Sequence, residues 1–102
     1  MSSISIVFPL FNEEDYVVRA YEAAVEALVP LTDDYEIILV NDASTDRTRE
    51  IIESLAAKDP RVKPVHNPQN LKLGGTLRAG YAVATKDLIL YTDADLPFDL
   101  HE

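Results

Sequence analysis

Asp93-Ala94-Asp95 closes the apolar run Leu88-Ile89-Leu90-Tyr91-Thr92. On extended backbone, two carboxylates one residue apart project from the same side of the chain, because strand side chains repeat every two residues. Such a pair of hard anionic oxygens suits Mg²⁺ or Mn²⁺, which bind through a few carboxylates and leave positions open for phosphate oxygens. The plainer reading is that both residues cap the turn after a strand, as Asp often does. Two further polar segments, Pro9-Leu10-Phe11-Asn12-Glu13-Glu14 and Val40-Asn41-Asp42-Ala43-Ser44, also close apolar runs. Three acidic loops gathered on one edge of a sheet would make a site for a nucleoside diphosphate and a divalent metal.

Each of the other candidates has two readings. Asp42 is either a turn residue saturating local N–H groups or a carboxylate that accepts from a ribose hydroxyl or a base N–H. Pro9 lacks an N–H and marks where strand pairing stops, while Asn12 and Glu13 either cap the following helix or face a nucleoside. Lys72-Leu73-Gly74-Gly75 precedes the third helix, with small residues for close packing or for backbone approach to phosphate beside the Lys72 cation. Neither G-x-x-x-x-G-K-S/T nor G-x-G-x-x-G occurs, which removes most support for NTPase, kinase-like and dehydrogenase readings. His66 and His101 are isolated in sequence and read as structural or solvated. Arg78 either reaches phosphate or solvates a helix face.

The elements that must position these groups alternate cleanly. Ser3 to Leu10 is a near-continuous apolar run, as expected of a strand buried on both faces. Asn12 reads as an N-cap, followed by Glu13, Glu14 and Asp15 at the positive end of a helix dipole. Val17, Tyr21, Ala24, Val25 and Leu28 recur at helical spacing until Pro30. Tyr35 to Val40 forms a second strand. Ser44, Thr45 or Asp46 caps a second helix carrying Ile51, Ile52, Leu55 and Ala56, which closes near Lys58 and Pro60. Val62 to His66 is a short third strand, placed at an edge by Pro64. The third helix runs from Gly74-Gly75 through Leu77, Tyr81 and Ala84, and Leu88 to Thr92 is the fourth strand. This alternation predicts an α/β, Rossmann-like parallel sheet with three crossover helices and strand order 3-2-1-4. Its switch point falls between strands one and four, where doubly wound sheets bind ligands beyond the carboxyl ends.

Bulk properties narrow the function further. A chain of 102 residues with 47% hydrophobic residues is a single small domain able to build a core. Its 18 acidic and 9 basic residues give a net charge of −9, which disfavours nucleic acid and anionic lipid as partners. An anionic ligand must then be held by metal or backbone N–H groups. Absent cysteines exclude disulfides, thiolate metal sites and thiol catalysis. No basic-apolar leader and no apolar run of ~18 residues is visible, so a cytoplasmic setting is expected.

At these residues the chain resembles a known family. Pro9 to Glu14, Val40-Asn41-Asp42-Ala43-Ser44-Thr45-Asp46, Asn70 to Gly80 and Asp93-Ala94-Asp95-Leu96-Pro97 are similar, in order and spacing, to the N-terminal half of family-2 glycosyltransferases with the GT-A fold. Within that family the polyprenyl-phosphate (dolichyl-phosphate) sugar synthase branch looks nearest. The resemblance implies that Pro9, Phe11 and Glu13 line a nucleoside pocket and that Asp42 contacts the base. It also implies that Asp93 and Asp95 form an Asp-x-Asp motif holding Mg²⁺ or Mn²⁺ and the diphosphate of a UDP- or GDP-sugar, with Asp93 on the nucleotide side; Lys72 joins that side from its own chemistry, as one of few nearby cations. Where many relatives have Asn-x-Gly, this chain has Asn70-Leu71-Lys72. A complete GT-A domain is about twice this length, and the resemblance places the general base and acceptor platform in its C-terminal half. Residues 1–102 therefore read as a nucleotide-sugar-binding half, with no catalytic residue assigned and little or no turnover expected alone. Two other classes fit less of the chain: a non-catalytic nucleotide or metal module, and an Mg²⁺-dependent phosphoryl-transfer domain, which would need an Asp where Pro9-Leu10-Phe11-Asn12 stands. Leu88-Ile89-Leu90-Tyr91 carries no Pro, Lys or Glu to blunt an open edge, so a homodimer through strand four is expected.

Overall fold

The computed structural model describes residues 3–91, apart from the side chains of residues 72–74 and 91. The order of elements is β1 (Ile4–Leu10), α1 (Val17–Leu28), β2 (Tyr35–Asp42), α2 (Thr48–Lys58), β3 (Val62–Asn67), α3 (Lys72–Val83) and β4 (Leu88–Tyr91). The strands form one parallel sheet in the order β3-β2-β1-β4, as the alternation required.

Strand parity divides the core between two faces. Ile4, Ile6, Phe8 and Leu10 of β1 and Tyr35, Ile37 and Leu39 of β2 pack against Val17, Ala20, Ala24 and Leu28 of α1 and Ile52 and Leu55 of α2. The alternate residues Val7, Ile38 and Val40 meet Leu77 and Ala79 of α3 on the other face. Both central strands are thus buried on both sides, and burying each large aliphatic side chain contributes about 1.5–3 kcal/mol. The α3 face is tight. A Cβ on Gly80 would stand 2.5 Å from Val7 Cγ1 and 3.2 Å from Val40 Cγ2, so this helix seats on the sheet only because position 80 has no side chain.

Several boundaries differ from those expected. Pro9 does not end β1: it pairs with Val40, and Leu10 pairs with Asn41. A parallel strand directs successive N–H groups to alternate sides, so a proline loses one bond without losing register. The strands β2 and β3 run on through polar residues, pairing Asn41 with His66 and Asp42 with Asn67. Helix α3 begins at Lys72, ahead of the two glycines. Pro64 does lie on the edge strand β3. Thr92, Asp93, Asp95 and His101 lie outside the described residues.

A second polar network fastens the amino ends of the strands. Glu36, only 2% exposed, accepts from Ser5 Oγ (2.6 Å), Thr85 N (2.7 Å) and Thr85 Oγ1 (3.1 Å), and pairs with Lys63 Nζ at 2.6 Å. One carboxylate therefore joins β1, β2, β3 and the segment leading into β4. Burial pushes this carboxyl up, but the Lys63 ammonium and the Ser5 and Thr85 donors outweigh it and hold it down at about 2. On the opposite face, the Tyr21 hydroxyl donates to Asp59 Oδ2 at 2.6 Å, raising the phenol to about 12.

Candidate functional site

The loops after β1 and β2 leave the same end of the sheet and are bonded to each other. Asn12 N donates to Ser44 Oγ (2.9 Å), and Thr45 N donates to Asn12 Oδ1 (2.8 Å). Glu13 N donates to Thr48 Oγ1 (3.0 Å) and Glu14 N to Asp46 Oδ2 (3.2 Å). Asn12 and Ala43 adopt left-handed backbone, with φ of 52° and 62°. For Ala43 that conformation costs about 1–2 kcal/mol. These four hydrogen bonds from backbone N–H groups, each contributing about 0.5–1.5 kcal/mol, outweigh it.

Asn12 is therefore not the N-cap of α1. That helix starts at Val17 behind Tyr16, without a side-chain cap, and the first donors, Tyr16 N and Val17 N, bond to the Glu13 carbonyl. The Asn12 side chain is used instead to clip one loop to the next. Nor do Ser44, Thr45 or Asp46 stand at the N-cap of α2: that position is Arg47, without a side-chain cap, and Asp46 just before it accepts Thr48 N (2.9 Å) and Thr48 Oγ1 (2.6 Å) at Oδ1. Burial raises the Asp46 carboxyl less than the Thr48 and Glu14 donors lower it, so it stays ionised below the usual range.

Asn41 and Asp42, adjacent on β2, point to opposite faces. Asn41 Oδ1 accepts Ser44 N (2.9 Å) and its Nδ2 faces His66 Nδ1 (3.1 Å). Asp42, 4% exposed, accepts Asn67 Nδ2 (3.0 Å) and Leu71 N (2.8 Å), both at Oδ1. It thereby ties β2 to the end of β3 and to the residue preceding α3.

The candidates named from sequence are thus brought to one edge as far as they are described. Pro9 is the last residue but one of β1, Asp42 ends β2, and Phe11 and Glu13 lie in the first loop, Phe11 46% exposed and so able to offer a ring face. Lys72 is the first residue of α3, but its side chain lies outside what the structure describes. Asp93 and Asp95 follow Tyr91, whose partner on β1 is Val7, two residues before Pro9. Among the described residues, no three His, Cys, Asp or Glu side chains cluster as a metal site would require. A groove of about 430 Å³ between α1 and α2, lined by Val18, Tyr21, Ile51 and Leu55 among others, contains none of these candidates. Sequence reading missed the clip formed by Asn12, Ser44, Thr45, Asp46 and Thr48. Its signal was the density of Asn, Asp, Ser and Thr over residues 41–48, which is the composition of side-chain-bonded turns.

The family model for glycosyl transferase family 2 matches residues 5–100. The chain belongs to that family. It is 34% identical over 100 residues to glycosyltransferase AglD of Haloferax volcanii, covering 95% of this chain and 16% of AglD. It is 39% identical over 93 residues to the prophage bactoprenol glucosyl transferase homolog of Escherichia coli K12, covering 91% of this chain and 30% of that protein. The chain therefore spans less than a third of either curated relative. Among solved structures, the mannosyltransferase PcManGT of Pyrobaculum calidifontis, in complex with GDP-Man and Mn²⁺, superposes with a TM-score of 0.83 at 23% identity. That likeness covers 92% of this chain and 28% of the other, and fixes the GT-A fold.

Proposed function

We propose that residues 1–102 are the donor-side portion of a family-2 glycosyltransferase, binding a nucleoside-diphosphate sugar and a divalent cation at the carboxyl edge of the sheet. The single observation that carries this reading is the clipping of the β1–α1 and β2–α2 loops at the family's switch-point edge, with Pro9, Phe11, Glu13 and Asp42 around them. Phe11 offers a ring face to the nucleoside. Since Asp42 Oδ1 is used by Asn67 and Leu71, a base N–H would be accepted at Oδ2. Lys72 and the N–H groups at the start of α3 would meet phosphate, a reading supported by the start of that helix at residue 72.

Asp93 and Asp95 are the residues to hold Mg²⁺ or Mn²⁺, since two hard carboxylates suit such an ion and the chain is poor in cations. The bound cation would stabilise the charge of the departing nucleoside diphosphate. Transfer also needs a general base and an acceptor wall. None of Pro9, Phe11, Glu13, Asp42, Lys72, Asp93 and Asp95 fills those roles, so these residues bind and orient the donor and turnover by them alone is small or nil. We further propose that the chain forms a homodimer through β4, where Leu88 and Ile89 are 46% and 43% exposed.

Calorimetric titration with UDP and GDP, with and without Mn²⁺, tests the reading. Binding should depend on Mn²⁺, and Asp95→Ala should remove that dependence while leaving the circular dichroism unchanged. Equal affinity in EDTA and in Mn²⁺ would refute metal-assisted donor binding.

A further inference from the structure

His66 lies outside the proposed nucleoside pocket, on β3 opposite Asn41. Its side chain is 16% exposed. Its Nδ1 stands 3.1 Å from Asn41 Nδ2, and its Nε2 stands 2.7 Å from Glu53 Oε2 on α2. The orientation of the Asn41 amide is fixed from its other end, where Oδ1 accepts the Ser44 N–H. An amide nitrogen only donates, so His66 Nδ1 must accept and carries no proton. The ring hydrogen is then on Nε2 and is given to Glu53. One neutral tautomer satisfies all three contacts.

A protonated ring cannot. With hydrogens on both nitrogens, the Glu53 contact gains charge, but Nδ1–H faces the Asn41 NH₂, donor against donor. Turning the Asn41 amide over would present Oδ1 to the ring and take it from Ser44. In the first case the bond that holds the Asn41 amide from the His66 side is lost, and in the second the bond from Ser44 N itself. Ser44 is the residue whose hydroxyl receives the Asn12 N–H, and the left-handed Ala43 stands between Asn41 and Ser44. Among the described residues, Glu53 from α2 is the charged group at ion-pair distance from the ring, and β2 presents the neutral Asn41. Asp42 and Lys63 take their partners, Asn67 and Glu36, on the opposite face of the sheet.

We propose that His66 is a proton-sensitive positioning residue for the paired loops at the carboxyl ends of β1 and β2. The neutral ring locks Asn41, Ser44 and Asn12 in place; the protonated ring releases them. Resting on the reading that these loops bind the nucleoside, donor affinity falls when the ring takes up a second proton. Binding would then be linked to a group that never touches the ligand.

The test compares the parent with His66→Asn and His66→Ala by two readouts. Asn places a carbonyl oxygen near the position of Nδ1, an acceptor that does not titrate, whereas Ala offers none. Without ligand, nuclear magnetic resonance follows the His66 ring nitrogens and the backbone amides of Asn12, Ser44 and Thr45 from about pH 8 to about pH 5. With Mn²⁺ present, calorimetry follows UDP and GDP affinity over the same range. In the parent, the ring should be unprotonated at Nδ1 at the upper pH, and the three amides should shift together with the ring. Relative to His66→Asn, affinity should weaken by about fivefold over this range, the worth of one hydrogen bond. His66→Asn should bind as the parent does at the upper pH, with unmoving amides and only the pH dependence that the nucleotide's own terminal phosphate brings, and His66→Ala should bind about fivefold more weakly than His66→Asn at the upper pH. A ring that titrates while the three amides stay still overturns the proposal, as does an Nδ1–H tautomer at the upper pH. If neither nucleotide binds at any pH, the donor-site reading fails by itself, and the amide response still decides the role of His66.

Discussion

Replacing Glu36 by Gln removes one charge from the network at the amino ends of the strands while keeping the side chain's shape. The parent carboxyl sits at about 2 against an ordinary 4.5, because the Lys63 ammonium and the Ser5 and Thr85 donors overcome the effect of burial. That gap of about 2.5 pH units, at about 1.4 kcal/mol each, amounts to about 3 kcal/mol of stability at neutral pH. The sign follows from the direction. A carboxyl lowered by folding contributes fully above its unfolded value of 4.5, and its contribution is lost as pH falls from there towards about 2. Gln also turns an NH₂ towards donors, which leaves one of Ser5 Oγ or the Thr85 groups without an acceptor. Lys63, 39% exposed, can take water instead, so the cost stays near the linkage value and below the larger penalties of a stranded buried charge. Urea denaturation of parent and Glu36→Gln at several pH values reads this directly, because acid effects common to both proteins cancel in the difference. The difference should be constant at about 3 kcal/mol above pH 5 and shrink towards pH 2, where the parent is also protonated. A difference below about 1 kcal/mol at neutral pH, or one that does not change on acidification, would refute the account.

Three further outcomes are expected. Gly80→Ala should destabilise by about 1–3 kcal/mol in thermal or urea unfolding, since overpacking against Val7 and Val40 exceeds the gain of about 1 kcal/mol in helix propensity; a neutral or stabilising result would mean that α3 shifts freely on the sheet. Asp42→Ala should weaken nucleoside diphosphate binding by about 1–3 kcal/mol and level the affinities for UDP, GDP and ADP. If these nucleotides bind the variant as they bind the parent, Asp42 serves only Asn67 and Leu71. Sedimentation at micromolar concentration should give a dimer that Leu88→Lys or Ile89→Lys dissociates, because a charge on an open strand edge opposes pairing; a monomeric parent at all concentrations would remove the β4 contact.

Much of the architecture followed from local pattern. Continuous apolar runs at β1 and β2 required burial on both faces, and a parallel sheet with crossover helices is the arrangement that provides it. Pro64 placed β3 at the edge, and right-handed crossovers left the order 3-2-1-4 as the simplest solution. The edge at which the site would form was legible for the same reason, since Pro9, Asp42 and Asp93 each follow an apolar run. The ends of β2 and β3 were not legible. Asn41, Asp42, His66 and Asn67 are polar, and their strand conformation rests on pairing with each other, which periodicity along one segment does not report.

The use of each polar side chain was decided by tertiary structure. Asn12 stands where a helix cap would stand, and by type it could have been one. Its oxygen instead takes the Thr45 N–H because the β2–α2 loop lies beside it, 33 residues further along the chain. His66 looks isolated in sequence, yet lies between Asn41 and Glu53, 25 and 13 residues away. Glu36 reads as a polar interruption in a strand, yet gathers Ser5, Lys63 and Thr85 from three other segments. Local sequence determines which backbone conformations and which faces are affordable, because those depend on near neighbours and on water. Which donor meets which acceptor depends on distances set only when the sheet has assembled, and there the chemistry of this protein was decided.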